Sequence, residues 1–231
     1  MKIYGFEKLS LVDFDGMITC TIFVGGCNFA CPFCHNSSLV LNPASNQEVR
    51  FEEVMEYLNL RKKIVDAVCI TGGEPTIYPD LGKYFKIFKG MGFITKLDTN
   101  GTNPEVIKSL VREELVDYVA MDVKNSLSSY QKTIGKNNPE LVKKVQESIN
   151  YLLEGHVDYE FRTTIVKQLH TKEDIIEMGK MLKGAKKLFL QHFIASENCI
   201  QKGLSEITKE QANEFIEILK EYVPNVSLRG Y

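Results

Sequence analysis

Two kinds of segment alternate along most of this chain, and that alternation limits its fold more than any other feature. β-Branched and apolar runs at 17–23, 65–70, 93–98, 118–121, 159–166 and 187–193 read as strands. Between and after them, apolar residues at helical spacing predict helices over 51–60, 80–89, 104–111, 139–153, 172–182 and 208–222. Pro104 and Pro139 fall at helix starts, where the missing N–H costs nothing. The pattern predicts an α/β fold with a parallel sheet and outer helices. Alternation by itself does not separate a doubly wound sheet from an open barrel. In either, binding residues collect at the C-terminal ends of the strands. One domain over 1–231 is expected, with an N-terminal flap or hairpin at 1–16, turning at Asp15-Gly16, and a βα core over 17–222.

The sharpest chemical signal follows the first core strand. Gly25-Gly26-Cys27-Asn28-Phe29-Ala30-Cys31-Pro32-Phe33-Cys34-His35-Asn36 sets three cysteines in a C-x₃-C-x₂-C spacing. Thiolates are soft ligands, and a fourth would complete a zinc site or a fully ligated cluster. Three leave one iron of a [4Fe–4S] cube open to a substrate. Clustered apolar cysteines are the plain alternative. Cys20 and Cys69 lie inside strand sequences and read as small core residues, whereas Cys199, in Ser196-Glu197-Asn198-Cys199, reads as a stray exposed thiol.

Composition narrows the partners. A net charge of −2 and the lack of a basic, aromatic-interleaved stretch argue against nucleic acid. The N-terminus has no signal-peptide pattern, and no apolar run approaches the roughly 20 residues that span a bilayer. The expectation is a cytoplasmic protein with no membrane partner, whose reduced thiols bind metal rather than pair as disulfides.

Further motifs end the later strands. Thr71-Gly72-Gly73-Glu74-Pro75 suits a close backbone approach to a ligand, although an ordinary strand-to-helix turn would also explain it. Asp98-Thr99-Asn100-Gly101 and Met121-Asp122-Val123-Lys124 end the next two strands; Asp122 and Lys124 should point the same way, with Val123 opposite. Arg162, in Phe161-Arg162-Thr163-Thr164, needs an anionic partner if buried. His192 ends the sixth strand.

Taken in order, these segments resemble the radical S-adenosylmethionine (SAM) enzymes. Among those they are most similar to activating enzymes of glycyl-radical proteins, in particular those serving anaerobic ribonucleoside-triphosphate reductase. The resemblance implies a partial (β/α)₆ barrel and a [4Fe–4S] cluster on Cys27, Cys31 and Cys34, with SAM chelating the open iron. It puts Phe33 and His35 beside the cluster and Gly72, Gly73 and Glu74 at the SAM amino group. Asp98, Thr99, Asn100, Asp122, Val123 and Lys124 would contact SAM, with a monovalent cation near Asp98 and Asp122, and Lys124 would share in catalysis. Arg162 would touch SAM or substrate, or simply bridge barrel carboxylates, and His192 would face the adenine or ribose, or be structural. Partners implied are a glycyl-radical enzyme and a low-potential donor such as flavodoxin or ferredoxin. Alternatives are activation of another such enzyme, for instance pyruvate formate-lyase, or a small-molecule reaction of the kind that makes deazapurines. A non-catalytic iron–sulfur or zinc module would explain the cysteines but not the glycine and Asp-Thr-Asn-Gly segments. The ending Arg229-Gly230-Tyr231 resembles a glycyl-radical site only superficially; a terminal strand suffices.

Overall fold

The computed structural model describes residues 1–231. Eight strands form one sheet in chain order: β1 (Ile3–Ser10), β2 (Thr19–Val24), β3 (Ala67–Gly72), β4 (Ile94–Thr99), β5 (Tyr118–Asp122), β6 (Asp158–Ile165), β7 (Leu188–His192) and β8 (Val226–Arg229). Strands β2 to β8 are parallel, and β1 runs antiparallel to β2. Edges β1 and β8 are not paired. Arg229 on β8 nevertheless bonds Asp15, in the turn between β1 and β2, at 3.1 Å. The sheet thus curves into an incomplete barrel with a lateral opening.

The connections hold α1 (Ser37–Leu41), α2 (Phe51–Arg61), α3 (Leu81–Gly90), α4 (Pro104–Arg112), α5 (Tyr130–Thr133), α6 (Pro139–Leu153), α7 (Lys172–Met181) and α8 (Lys209–Leu219). All six expected core strands and helices are present. Helices α1 and α5 are too short to leave a periodic signal. The expected N-terminal hairpin is not a separate unit: residues 3–10 join the main sheet on β2. No helix is long and apolar enough to cross a membrane.

Alternation along the strands divides the core in two. Leu97, Val119, Met121 and Phe161 are fully buried. On the opposite face of the same strands, lining the barrel, stand Lys96, Asp98, Asp122 and Arg162. Charges there are tolerable only because each meets an opposite partner. The β1–β2 turn plugs the barrel's N-terminal end. Asp13 accepts from Thr21 Oγ1 at 2.6 Å and, through its carbonyl, from Lys96 Nζ. Phe14 packs on Tyr118, whose hydroxyl donates to Glu160. The opposite end, where the strands terminate, is left for the site.

Candidate active site

The cysteine loop leaves β2 and is tied down by hydrogen bonds to four other segments. Gly26 N–H donates to Leu39 O at 2.7 Å, Glu74 N–H to Gly26 O at 2.8 Å and Ala30 N–H to Ile134 O at 3.0 Å. Gln201 N–H donates to Pro32 O at 2.8 Å, and His35 Nε2–H to the Ile194 carbonyl at 2.7 Å. Glycine is required where this loop meets the next one: a methyl group on Gly73 would collide with the Gly26 carbonyl. His35 stacks on Phe193, with ring centroids 5.6 Å apart, and Phe33 meets the same ring edge-on.

The loop forms one wall of a cavity enclosing about 840 Å³ of empty space, its open mouth included. Cys27, Cys31 and Cys34 line it with Phe33 and His35; facing them are Gly72, Gly73, Glu74, Asp98, Thr99, Asn100, Asp122 and Lys124. Burial is the main cause that pushes the Cys27 thiol up to about 12, with Glu74 adding to it, and the Cys31 thiol to about 11; Cys34 rises for the same reason. Thiols so placed stay protonated near neutral pH until a metal displaces the proton. No three His, Cys, Asp or Glu side chains converge as ligands of a single ion would. The soft donor set and the adjoining cavity fit a cubane with an open site.

A chain of ion pairs crosses the cavity floor. Lys124 Nζ lies 3.0 Å from Asp122 Oδ2, and Arg162 binds Asp122 Oδ1 through Nε at 2.9 Å and Asp98 Oδ2 through Nη1 at 3.0 Å. Lys96 Nζ stands 2.9 Å from Asp98 Oδ1, although out of line for a hydrogen bond. Burial alone would raise the Asp98 carboxyl, but Arg162 and Lys96 outweigh it and hold it at about 2. Asp122 is likewise kept low, by Arg162 and Lys124 against burial. Burial disfavours the Lys124 ammonium, yet the Asp122 carboxylate paired with it more than offsets this and keeps it charged.

Several sequence expectations change here. Asp98 Oδ2 and Asp122 Oδ1 are both bonded to Arg162, so its guanidinium supplies positive charge between the two carboxylates near which a monovalent cation was expected. Arg162 takes the bridging role and is not part of the cavity lining. Val123 is fully buried on the opposite strand face, as alternation requires, and its side chain cannot meet a ligand. His192 is turned away: Nδ1–H donates to Gly230 O at 3.1 Å, Nε2 lies 3.3 Å from Glu206, and the ring packs on Tyr231. The Glu74 carboxylate, 1 % exposed, accepts from Thr76 N, Thr76 Oγ1, Thr99 Oγ1 and Asn100 N. It thus joins two loops of the wall. Cys199 is buried rather than exposed, its Sγ 4.0 Å from Phe33 O, because residues 194–204 fold over the cysteine loop.

Other residues at the site went unselected in the sequence. Thr164 lines the cavity two positions beyond Arg162, where alternation along β6 points to it. His170 supports Lys124 from behind: Nδ1 accepts from Val166 N–H at 3.0 Å, so Nε2–H donates to Lys124 O at 2.9 Å. Capping of α7 by Thr171, next in the chain, anchors it. No sequence signal marks His170.

Comparison with known proteins agrees with this geometry. The radical SAM superfamily profile matches residues 21–182. A protein of Methanocaldococcus jannaschii, provisionally named a glycyl-radical enzyme activating enzyme, is 32% identical over 98% of this chain and 95% of its own. The pyruvate formate-lyase-activating enzyme of Clostridium pasteurianum is 29% identical over 79% of this chain and 76% of its own. Among solved structures, SAM-bound SuiB of Streptococcus suis superimposes with a TM-score of 0.67 over 91% of this chain and 52% of that one, at 14% identity. That likeness speaks to the fold alone.

Proposed function

Since the chain belongs to the radical SAM superfamily, and within it to the activating enzymes of glycyl-radical proteins, we propose that it installs the glycyl radical of anaerobic ribonucleoside-triphosphate reductase. The observation that carries the catalytic part of this reading is the shared cavity: three buried thiols on one wall, and the Gly72-Gly73 backbone and the Asp122–Lys124 pair opposite.

Cys27, Cys31 and Cys34 would hold the [4Fe–4S] cluster. When bound, the cluster and SAM supply, on arrival of one electron, the 5′-deoxyadenosyl radical that takes a hydrogen atom from glycine. The protein's own contribution is placement and dryness. Close contact between the Gly26 and Gly73 backbones, with no side chain between them, would let an ammonium group approach the Gly72-Gly73 main chain. Lys124 presents a fixed positive charge for a carboxylate, and Asp122 steers it. Phe33, the His35–Phe193 stack and the covering segment 194–204 would exclude water from the reacting centre. A low-potential donor such as flavodoxin or ferredoxin would deliver the electron.

The unpaired sheet edges leave a lateral opening through which a glycine-bearing loop of another protein could enter. The reductase is favoured by the sequence segments set out above. Relatives named for pyruvate formate-lyase activation make that enzyme the second arm of the test. Anaerobically loaded protein, SAM and a reductant are mixed with the reductase from the same organism. A glycyl-radical doublet in electron paramagnetic resonance, with 5′-deoxyadenosine, is expected. A doublet on pyruvate formate-lyase alone reassigns the partner. SAM cleavage without a glycyl radical on either overturns the activase reading.

A further inference from the structure

Asn100 aims its side-chain amide at a cysteine sulfur. Its Nδ2 lies 3.8 Å from Cys27 Sγ and 2.8 Å from Asn28 Oδ1. The amide's orientation is decided by its other end. Oδ1 receives the Thr102 backbone N–H at 3.0 Å and the Thr102 hydroxyl at 2.7 Å. A backbone N–H can only donate, so the oxygen faces Thr102 and the NH₂ group faces the sulfur. Asn28 Nδ2 donates to Thr102 Oγ1 at 2.6 Å and closes a ring of side chains. Asn100 is 5% exposed and Thr102 fully buried, so water does not compete for these bonds.

Cys27 also receives the Phe29 backbone N–H at 3.4 Å, and of the three sulfurs only Cys27 has a side-chain donor. A hydrogen bond to a ligating thiolate withdraws charge from the iron and favours the reduced cluster. We propose that Asn100, oriented by Thr102, is a positioning residue acting through Cys27 that raises the reduction potential of the cluster, easing the one-electron transfer from an external low-potential donor. This rests on the cluster being held by Cys27, Cys31 and Cys34 as proposed above.

The test is a redox titration of the cluster-loaded protein without SAM, followed by electron paramagnetic resonance of the reduced state. Omitting SAM separates an effect on the cluster from any contact Asn100 makes with that cofactor. Asn100→Leu should move the midpoint to more negative potential, and Thr102→Val should move it the same way by less. Ser148→Ala is the control: Ser148 Oγ holds the same loop through Gly101 O at 2.6 Å but has no route to the sulfur. Its midpoint should match the parent's. Unchanged midpoints in both Asn100→Leu and Thr102→Val overturn the inference, as does a Ser148→Ala shift equal to that of Thr102→Val. Should Asn100→Leu fail to retain iron, Thr102→Val against Ser148→Ala decides. A parent protein that takes up no cluster overturns the cluster reading itself, which is a separate outcome.

Discussion

Arg162 on β6 reaches past β5 to bind Asp98 on β4, Nη1 to Oδ2 at 3.0 Å. The same guanidinium holds Asp122, so one residue spaces two carboxylates that would otherwise repel across the cavity floor. Nothing about positions 98, 122 and 162 in the chain says that they share a layer. The sheet order brings them together.

Removing the guanidinium should expose that arrangement. Arg162→Gln leaves two buried carboxylates facing each other without their shared partner, at a cost of about 3–5 kcal/mol in unfolding free energy. A small cation could then enter. Denaturant midpoints in potassium chloride and in choline chloride should coincide for the parent and differ for the variant, with potassium stabilising. Equal stabilisation of the parent by potassium would show that Arg162 does not occupy the cation's place.

A second expectation concerns the thiols. Replacing Cys27, Cys31 or Cys34 with Ala should abolish retention of about four irons per chain in one cubane. Cys20→Ala and Cys199→Ala should keep the iron, although Cys199→Ala loses a buried side chain beside Phe33. With the Cys27 and Cys31 thiols pushed up to about 12 and about 11 by burial, loading at neutral pH should release a proton from each thiol that binds. Indicator-monitored reconstitution in weak buffer measures this. Loading without acidification would contradict neutral thiols in the empty site.

His170 predicts a pH dependence of stability. Burial, as the main cause, holds its imidazole below the ordinary value, while the carbonyls of Lys124 and Val166 and the Asp174 carboxylate pull the other way. The unfolded chain therefore binds a proton at higher pH than the folded one. The resulting stability is present in full above about 6.5, is lost progressively as pH falls toward the lower folded value, and is constant below it. Tm should decline between pH 7.5 and 5.5 more steeply in the parent than in His170→Gln, whose amide can accept from Val166 N–H and donate to Lys124 O. Identical slopes would mean that His170 does not titrate across folding.

What could be read from the sequence was local. The cysteine spacing, the proline-started helices and the polar residues at strand ends each depend on neighbours within a few positions, and they recur in the fold almost residue for residue. Alternation even assigned Val123 to the far face, against the cofactor role implied for it by resemblance. What could not be read depends on distant segments. Arg162 meets both carboxylates because β5, which carries Asp122, lies between β6 and β4, which carries Asp98. Cys199 is buried because residues 194–204 fold back over Pro32 and Phe33. His192 faces Gly230 because β8 extends the sheet beyond it.

The last prediction separates SAM binding from cluster assembly. Lys124 touches no cysteine through a hydrogen bond; its ammonium pairs with Asp122 and sits 5.9 Å from the Phe33 ring centroid. Lys124→Met keeps much of the apolar stem and removes the charge. Asp122 retains Arg162, so the floor of the cavity should survive. Iron content should therefore stay at the parent level. A charge-assisted hydrogen bond to a ligand contributes about 1.5–3 kcal/mol, so SAM affinity should fall about tenfold to a hundredfold. Calorimetric titration of loaded protein measures the loss, and iron analysis of the same sample checks assembly. Unchanged affinity with full iron would remove Lys124 from the SAM site, whereas loss of iron would make its role the support of the cysteine loop.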